Sequence, residues 1–162
     1  MKTVRTTTIV NTASAAETAA LGERIGRGLR GGETIVLTGD IGSGKTTFVK
    51  GLARGLGCRE TVQSPTFLIV SVYDCRPPLR LYHYDFYRLE DPGIMADQLL
   101  ESTGDPAAVN VLEWSEIVSG VLPKNSALIR LSAVAGRDEA RRLEFNLPDG
   151  MSYLLRGERN QP

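Results

Sequence analysis

The stretch Gly39-Asp40-Ile41-Gly42-Ser43-Gly44-Lys45-Thr46-Thr47 satisfies the spacing GxxxxGK[ST], and it stands between an apolar run and a run with helical periodicity. Such a stretch can hold a phosphate chain. Backbone N–H groups have to converge on phosphate oxygens, and only a loop with little side-chain bulk wraps closely enough; Gly39, Gly42 and Gly44 supply that freedom. The following helix adds its unpaired N–H groups and the positive end of its dipole. Lys45 reaches the outer phosphates, and the Thr46 hydroxyl is offered to a magnesium ion.

Further candidates follow other apolar runs, because ligands of an open α/β sheet gather beyond the carboxyl ends of its strands. Glu113 ends the run Val109 to Leu112, the position of the acid that completes a magnesium shell opposite the loop hydroxyl. Glu is longer than the usual Asp by one methylene and can act through a coordinated water; the plainer alternative is a surface Glu capping the next helix. In Tyr82-His83-Tyr84-Asp85-Phe86-Tyr87-Arg88 a period of two puts His83, Asp85 and Tyr87 on one face. Asp85 fits two tasks, orienting an attacking water or joining the magnesium shell. His83, the single histidine, suits positioning of Asp85 or of the backbone better than proton transfer, and Arg88 suits a partner contact or transition-state charge. Ser64-Pro65-Thr66 lies where hydrolases carry a switch that senses the outer phosphate; an ordinary turn before a strand is the alternative. Trp114, the single tryptophan, either reports on the nucleotide or belongs to the core.

The elements that must position these residues are legible in outline. A short strand over Thr6–Val10 precedes a helix opened by a Ser14/Glu17 capping box, with a stripe of Thr18, Leu21, Ile25 and Leu29, and closed by Gly31-Gly32. Thr34–Thr38 reads as a buried strand, Lys45–Leu56 as a helix stopped by Gly57, and Phe67–Tyr73 with Leu79–Phe86 as an antiparallel hairpin. A helix entered at Asp91-Pro92 carries Met95, Leu99 and Leu100, Val109–Leu112 is a further buried strand, Ile117–Leu122 is a short amphipathic piece, and Ala127–Val134 with Arg141–Leu147 closes the sheet around Gly136. The expectation is an α/β, three-layer P-loop NTPase-like fold with a mixed central sheet, a single domain over 1–155 and a loose tail over 156–162.

The 162 residues suffice for one core without disulfides or structural metal, and Lys plus Arg equal Asp plus Glu at 19 each. With no net basic charge, direct nucleic-acid binding is not expected. Cys58 and Cys75 lack metal-ligand spacing and are expected to be free thiols in a reducing cytoplasm. Met1 to Asn11 lacks the apolar core of a signal peptide, and no run reaches the ~20 apolar residues of a membrane span. A cytoplasmic protein is expected.

Taken in order, Gly39 to Thr47, Ser-Pro-Thr-Phe at 64–67, His-Tyr-Asp-Phe-Tyr-Arg-Leu at 83–89 and Leu-Glu-Trp-Ser-Glu at 112–116 resemble the bacterial TsaE (YjeE) family of small ATPases, over roughly Ser14 to Arg142. The resemblance implies a P-loop ATPase using ATP and Mg2+, required for threonylcarbamoyl modification of adenosine 37 (t6A) in tRNAs that read codons beginning with A. It implies TsaD and TsaB as partners, with TsaD performing the transfer and tRNA met only through the complex. Carried over by position, Lys45 binds phosphate, Thr46 and Glu113 hold magnesium, Asp85 is essential to hydrolysis, and Thr66 belongs to a switch. From Gly93 to Pro106 the chain departs from the family's acidic helix at Met95 and Gln98, and the adenine pocket stays open between residues near Ser14 and near Arg137.

Two other functions compete. A small-molecule kinase shares the cradle but needs an acceptor pocket and usually an Arg-bearing lid, and no Arg-rich insertion occurs before Pro123. A non-catalytic nucleotide-binding switch module needs the cradle alone. A site lacking an arginine finger is expected to hydrolyse ATP slowly, since such a finger contributes about 10³ to 10⁵ in rate.

Overall fold

The computed structural model describes residues 4–63 and 68–158. The Ser64-Pro65-Thr66 segment and the Phe67 strand start lie outside the described residues. Strand β1 (Arg5–Thr12) leads to helix α1 (Ala15–Gly28). Ser14 Oγ accepts the Glu17 N–H at 3.2 Å as the expected cap, and the Glu17 carboxylate reaches one residue past it to accept the Ala13 N–H at 2.7 Å. The helix stops at Gly28, ahead of the Gly31-Gly32 pair, because Leu29 turns extended and enters the core.

Strand β2 (Thr34–Thr38) runs into the glycine-rich loop and helix α2 (Lys45–Leu56), which ends on left-handed Gly57. The hairpin β3 (Val70–Asp74) and β4 (Arg80–Asp85) follows, then α3 (Gly93–Gly104) and β5 (Ala108–Glu113). The amphipathic piece forms a 3₁₀ helix at Ser115–Val121. Strands β6 (Ala127–Val134) and β7 (Arg137–Pro148) make the closing hairpin, and a second 3₁₀ helix spans Asp149–Leu155. β7 starts four residues earlier than expected, since its polar first half pairs with the end of β6.

The sheet has the order β1-β7-β6-β2-β5-β4-β3. β6, β2, β5 and β4 are parallel, while β3 pairs antiparallel with β4 at one edge and, at the other, β7 pairs antiparallel with both β6 and β1. The expected α/β fold with a mixed central sheet is therefore what the chain adopts. Side chains alternate across it. Leu81, Val109 and Val111 join Leu21, Ile25, Phe48 and Leu52 beneath α1 and α2, whereas Tyr84 and Leu112 meet Leu99 of α3 and Val118 on the other face. Of the apolar residues the α3 helix carries, Leu99 is buried and Leu100 is exposed.

Helices α1 and α2 touch through their backbones. A Cβ placed on Gly51 would stand 2.0 Å from the Ala19 carbonyl oxygen, and one on Gly26 would stand 2.1 Å from that of Leu52. At the far end of β2 from the loop, buried Glu33 accepts the Arg30 and Gly31 N–H groups at 2.7 and 2.8 Å and the Tyr153 hydroxyl at 2.5 Å. Arg30 stacks on the Tyr153 ring, which ties the C-terminal 3₁₀ helix to the root of the sheet. Beyond it, Glu158 pairs with Arg24 of α1 at 2.7 Å.

One expectation is overturned here. Cys58 and Cys75 are bonded to each other rather than free. Arg59 N–H donates to the Asp74 carbonyl and Arg76 N–H to that of Leu56, which lays the two segments side by side and brings the sulfurs together. Chain length does not report such an adjacency.

Candidate functional site

β2 lies between β5 and β6, so the loop that leaves its carboxyl end opens where the sheet's connectivity reverses direction. Gly44 forms the N-cap of α2 with φ 98°, a conformation that a side chain disfavours. Gly39 is constrained by space: a Cβ there would meet the Leu131 carbonyl oxygen at 2.4 Å. Lys45 is buried, with Nζ donating to the Gly39 and Asp40 carbonyls at 2.6 and 3.0 Å. Its ammonium also lies 5.1 Å from the centre of the Trp114 ring. Ser43 is buried behind the loop, and its Oγ has no hydrogen-bond partner among the described residues.

A cavity of about 290 Å³ gathers Ile41, Gly42, Gly44, Lys45, Thr46 and Thr47 of the loop with Asp85, Tyr87, Glu113 and Trp114. The strand period explains the carboxylates. Leu81, His83 and Asp85 share one face of β4, and Val109, Val111 and Glu113 share the same face of β5; the apolar members sit under α1 and α2, so the last members meet the start of α2. Asp85 and Glu113 are register partners.

Glu113 is buried and not a surface helix cap, and one carboxylate oxygen lies 2.9 Å from His83 Nε2. The hydrogen-bond contact of His83 is thus with Glu113, and among the described residues His83 Nδ1 has no hydrogen-bond partner. The pair reaches across the strand boundary, and within a single strand the period of two could not reveal it. The face shared by His83 and Asp85 does not extend to Tyr87 as strand, because β4 ends at Asp85, whose Oδ1 accepts the Tyr87 N–H at 3.0 Å. The Tyr87 ring folds over to lie 5.0 Å from the Trp114 ring. Arg88 is exposed outside the cavity lining.

Burial pushes the Asp85 carboxyl above its ordinary range, and the Glu113 charge adds to the rise; the Tyr87 N–H, His83 and Lys45 oppose it. Trp114 has φ 55° and ψ 49°, the single non-glycine residue with positive φ among the described residues. For a bulky side chain this is a strained backbone, of the kind that concentrates at functional sites. The donor set here, a hydroxyl with one or two carboxylates beside a phosphate-shaped loop, fits magnesium held partly by phosphate oxygens.

A model of the family TsaE, threonylcarbamoyl adenosine biosynthesis protein, matches residues 12–143. The chain belongs to the TsaE family. It is 45% identical over 126 residues to the tRNA threonylcarbamoyladenosine biosynthesis protein TsaE of Treponema pallidum, covering 75% of this chain and 89% of that one. The TsaE protein of Bacillus subtilis is 38% identical over 123 residues, covering 76% and 75%. The crystal structure of Bacillus subtilis YdiB superposes with a TM-score of 0.71 at 28% identity, over 92% of this chain and 90% of that chain.

In this TsaE-family chain the structure adds one residue to the loop that the motifs do not contain. Arg141 of β7 reaches over the sheet edge, and Nη2 donates to the Gly42 carbonyl at 3.2 Å. Its sequence signal is weak, one arginine in an arginine-rich strand, and only the overhang of the β6–β7 hairpin gives it meaning. Thr66, expected in the nucleotide site, lies outside the described residues. Among those described, no helix is long and apolar enough to cross a membrane.

Proposed function

We propose that the chain is a magnesium-dependent ATPase that supports threonylcarbamoyl modification of tRNA adenosine 37 by binding and resetting a TsaD–TsaB complex in the cytoplasm. The observation that carries this reading is the convergence of Lys45, Thr46, Asp85 and Glu113 on one cavity at the mouth of a glycine-rich loop. The loop N–H groups and Lys45 bind the phosphates, with Gly39, Asp40, Ile41, Gly42, Ser43, Gly44 and Thr47 completing the cradle. Thr46 and Glu113 hold the magnesium ion, which when bound neutralises charge on the outer phosphates. His83 fixes the Glu113 carboxylate, and Asp85 orients the water that attacks. Thr66 and its neighbours act as the switch that senses the outer phosphate.

Among the described residues, no arginine lines the cavity with these groups. Hydrolysis is therefore slow in isolation and is completed by a partner that brings charge to the transition state, a gain of about 4 to 7 kcal/mol for the rate factor cited above. Turnover of ATP measured alone and with TsaD and TsaB tests the reading. A rise with saturating partner is expected. Equal turnover with and without it would overturn the partner-driven switch.

A further inference from the structure

We propose that Arg141 is a positioning residue for nucleotide binding, bracing the phosphate loop from β7 with a guanidinium that spans three backbone carbonyls. The inference rests on the phosphate-binding reading of the loop and adds to it a residue from β7, two strands away from β2. Nη1 donates to the Asp138 and Ala140 carbonyls at 2.6 and 2.8 Å, which fixes the guanidinium against its own hairpin. Nη2 then takes the Gly42 carbonyl at 3.2 Å. The side chain lies flat along the loop: Nε, Cγ and Cδ pass 3.5, 3.6 and 3.7 Å from the point where a Cβ on Gly44 would stand. Nε is buried without a hydrogen-bond partner among the described residues.

The physical need for such a brace comes from the glycines. A loop that must aim its N–H groups inward has to turn its carbonyls outward, and a glycine peptide is the one most free to flip. The Gly42–Ser43 peptide is held at both ends, by Ser43 N–H on the Asp40 carbonyl at 3.0 Å and by Arg141 on the Gly42 oxygen. With the Gly42 carbonyl held by Arg141 in advance, less conformational entropy is lost when phosphate arrives and the Ser43 N–H exchanges the Asp40 carbonyl for a phosphate oxygen. Only a planar, forked cation can bridge the hairpin carbonyls to the loop carbonyl; a lysine amine is a single point of charge.

The test is the affinity of Arg141→Ala and Arg141→Lys for ADP and ATP with magnesium, beside the melting midpoint of each nucleotide-free protein. Arg141→Ala is expected to bind both nucleotides roughly tenfold more weakly, with turnover at saturating ATP retained. Arg141→Lys is expected to remain impaired, and the nucleotide-free midpoints to stay at the wild-type value. Binding by Arg141→Ala within about twofold of wild type would overturn the proposal, as would full rescue by Lys, which would assign the effect to charge alone. A loss of affinity matched by a fall in the nucleotide-free midpoint would overturn it too, reducing Arg141 to a sheet contact. Failure of the wild-type protein to bind either nucleotide would instead sink the phosphate-binding reading itself.

Discussion

The Lys45 ammonium, held by two carbonyls of its own loop and facing the Trp114 ring, has to leave part of that arrangement when a phosphate enters. The indole then loses a nearby cation, so Trp114 emission is expected to shift on titration with ATP. Lys45→Ala is expected to abolish both the shift and binding; an unchanged ATP titration by calorimetry would refute the assignment. Asp85 gives a second test through pH. Its carboxyl is raised in the folded state, so the proton is held more tightly folded than unfolded. Stability is thus lost as pH rises from the ordinary carboxylate range through the raised folded value. Asp85→Asn keeps an oxygen for the Tyr87 N–H and removes the charge, so it is expected to melt above wild type at neutral pH. The difference should shrink as pH falls toward about 4, and a gap that does not change with pH would contradict the sign. Lys45 and Thr46 were legible in the sequence because their geometry is local to one loop. The His83–Glu113 contact and the reach of Arg141 were not, since each depends on which strands become neighbours.

Among the elements, the pair α1 and α2 sets the aim of the loop. The periodicity of Leu21 and Ile25 in one and of Phe48 and Leu52 in the other predicts both helices and their buried faces. It does not predict how close they come. Glycine inside a helix reads as a weakness, yet Gly22, Gly26, Gly51 and Gly55 each stand where a Cβ would run into the other helix's backbone. Gly51→Ala gains helix propensity and loses this contact, because a carbonyl cannot yield as a flexible side chain does. A net destabilisation of about 1 to 3 kcal/mol is expected in denaturant unfolding. Its displacement of α2 should weaken nucleotide binding as well; a more stable Gly51→Ala protein would show that the helices are free to part.

For the molecule as a whole, the mixed sheet and its two covered faces followed from the apolar runs, and the Cys58–Cys75 bond did not. The bond closes a 17-residue separation that holds the stretch between α2 and the end of β3. A cross-link of that span stabilises by about 3 kcal/mol through the unfolded chain. Replacing both cysteines by serine is expected to lower the melting midpoint and leave the circular dichroism of the folded protein unchanged, because both apolar clusters persist without the bond. An unaltered midpoint would mean that the bridge carries no constraint. The knot of Glu33, Arg30 and Tyr153 has a different consequence. It stands six residues before Gly39 along the chain, roughly 20 Å away at strand rise, so the anchorage and the chemistry occupy opposite poles of one short strand. A protein divided in this way can accept change at its working pole, new lip residues or a new docking partner, while its foundation stays untouched.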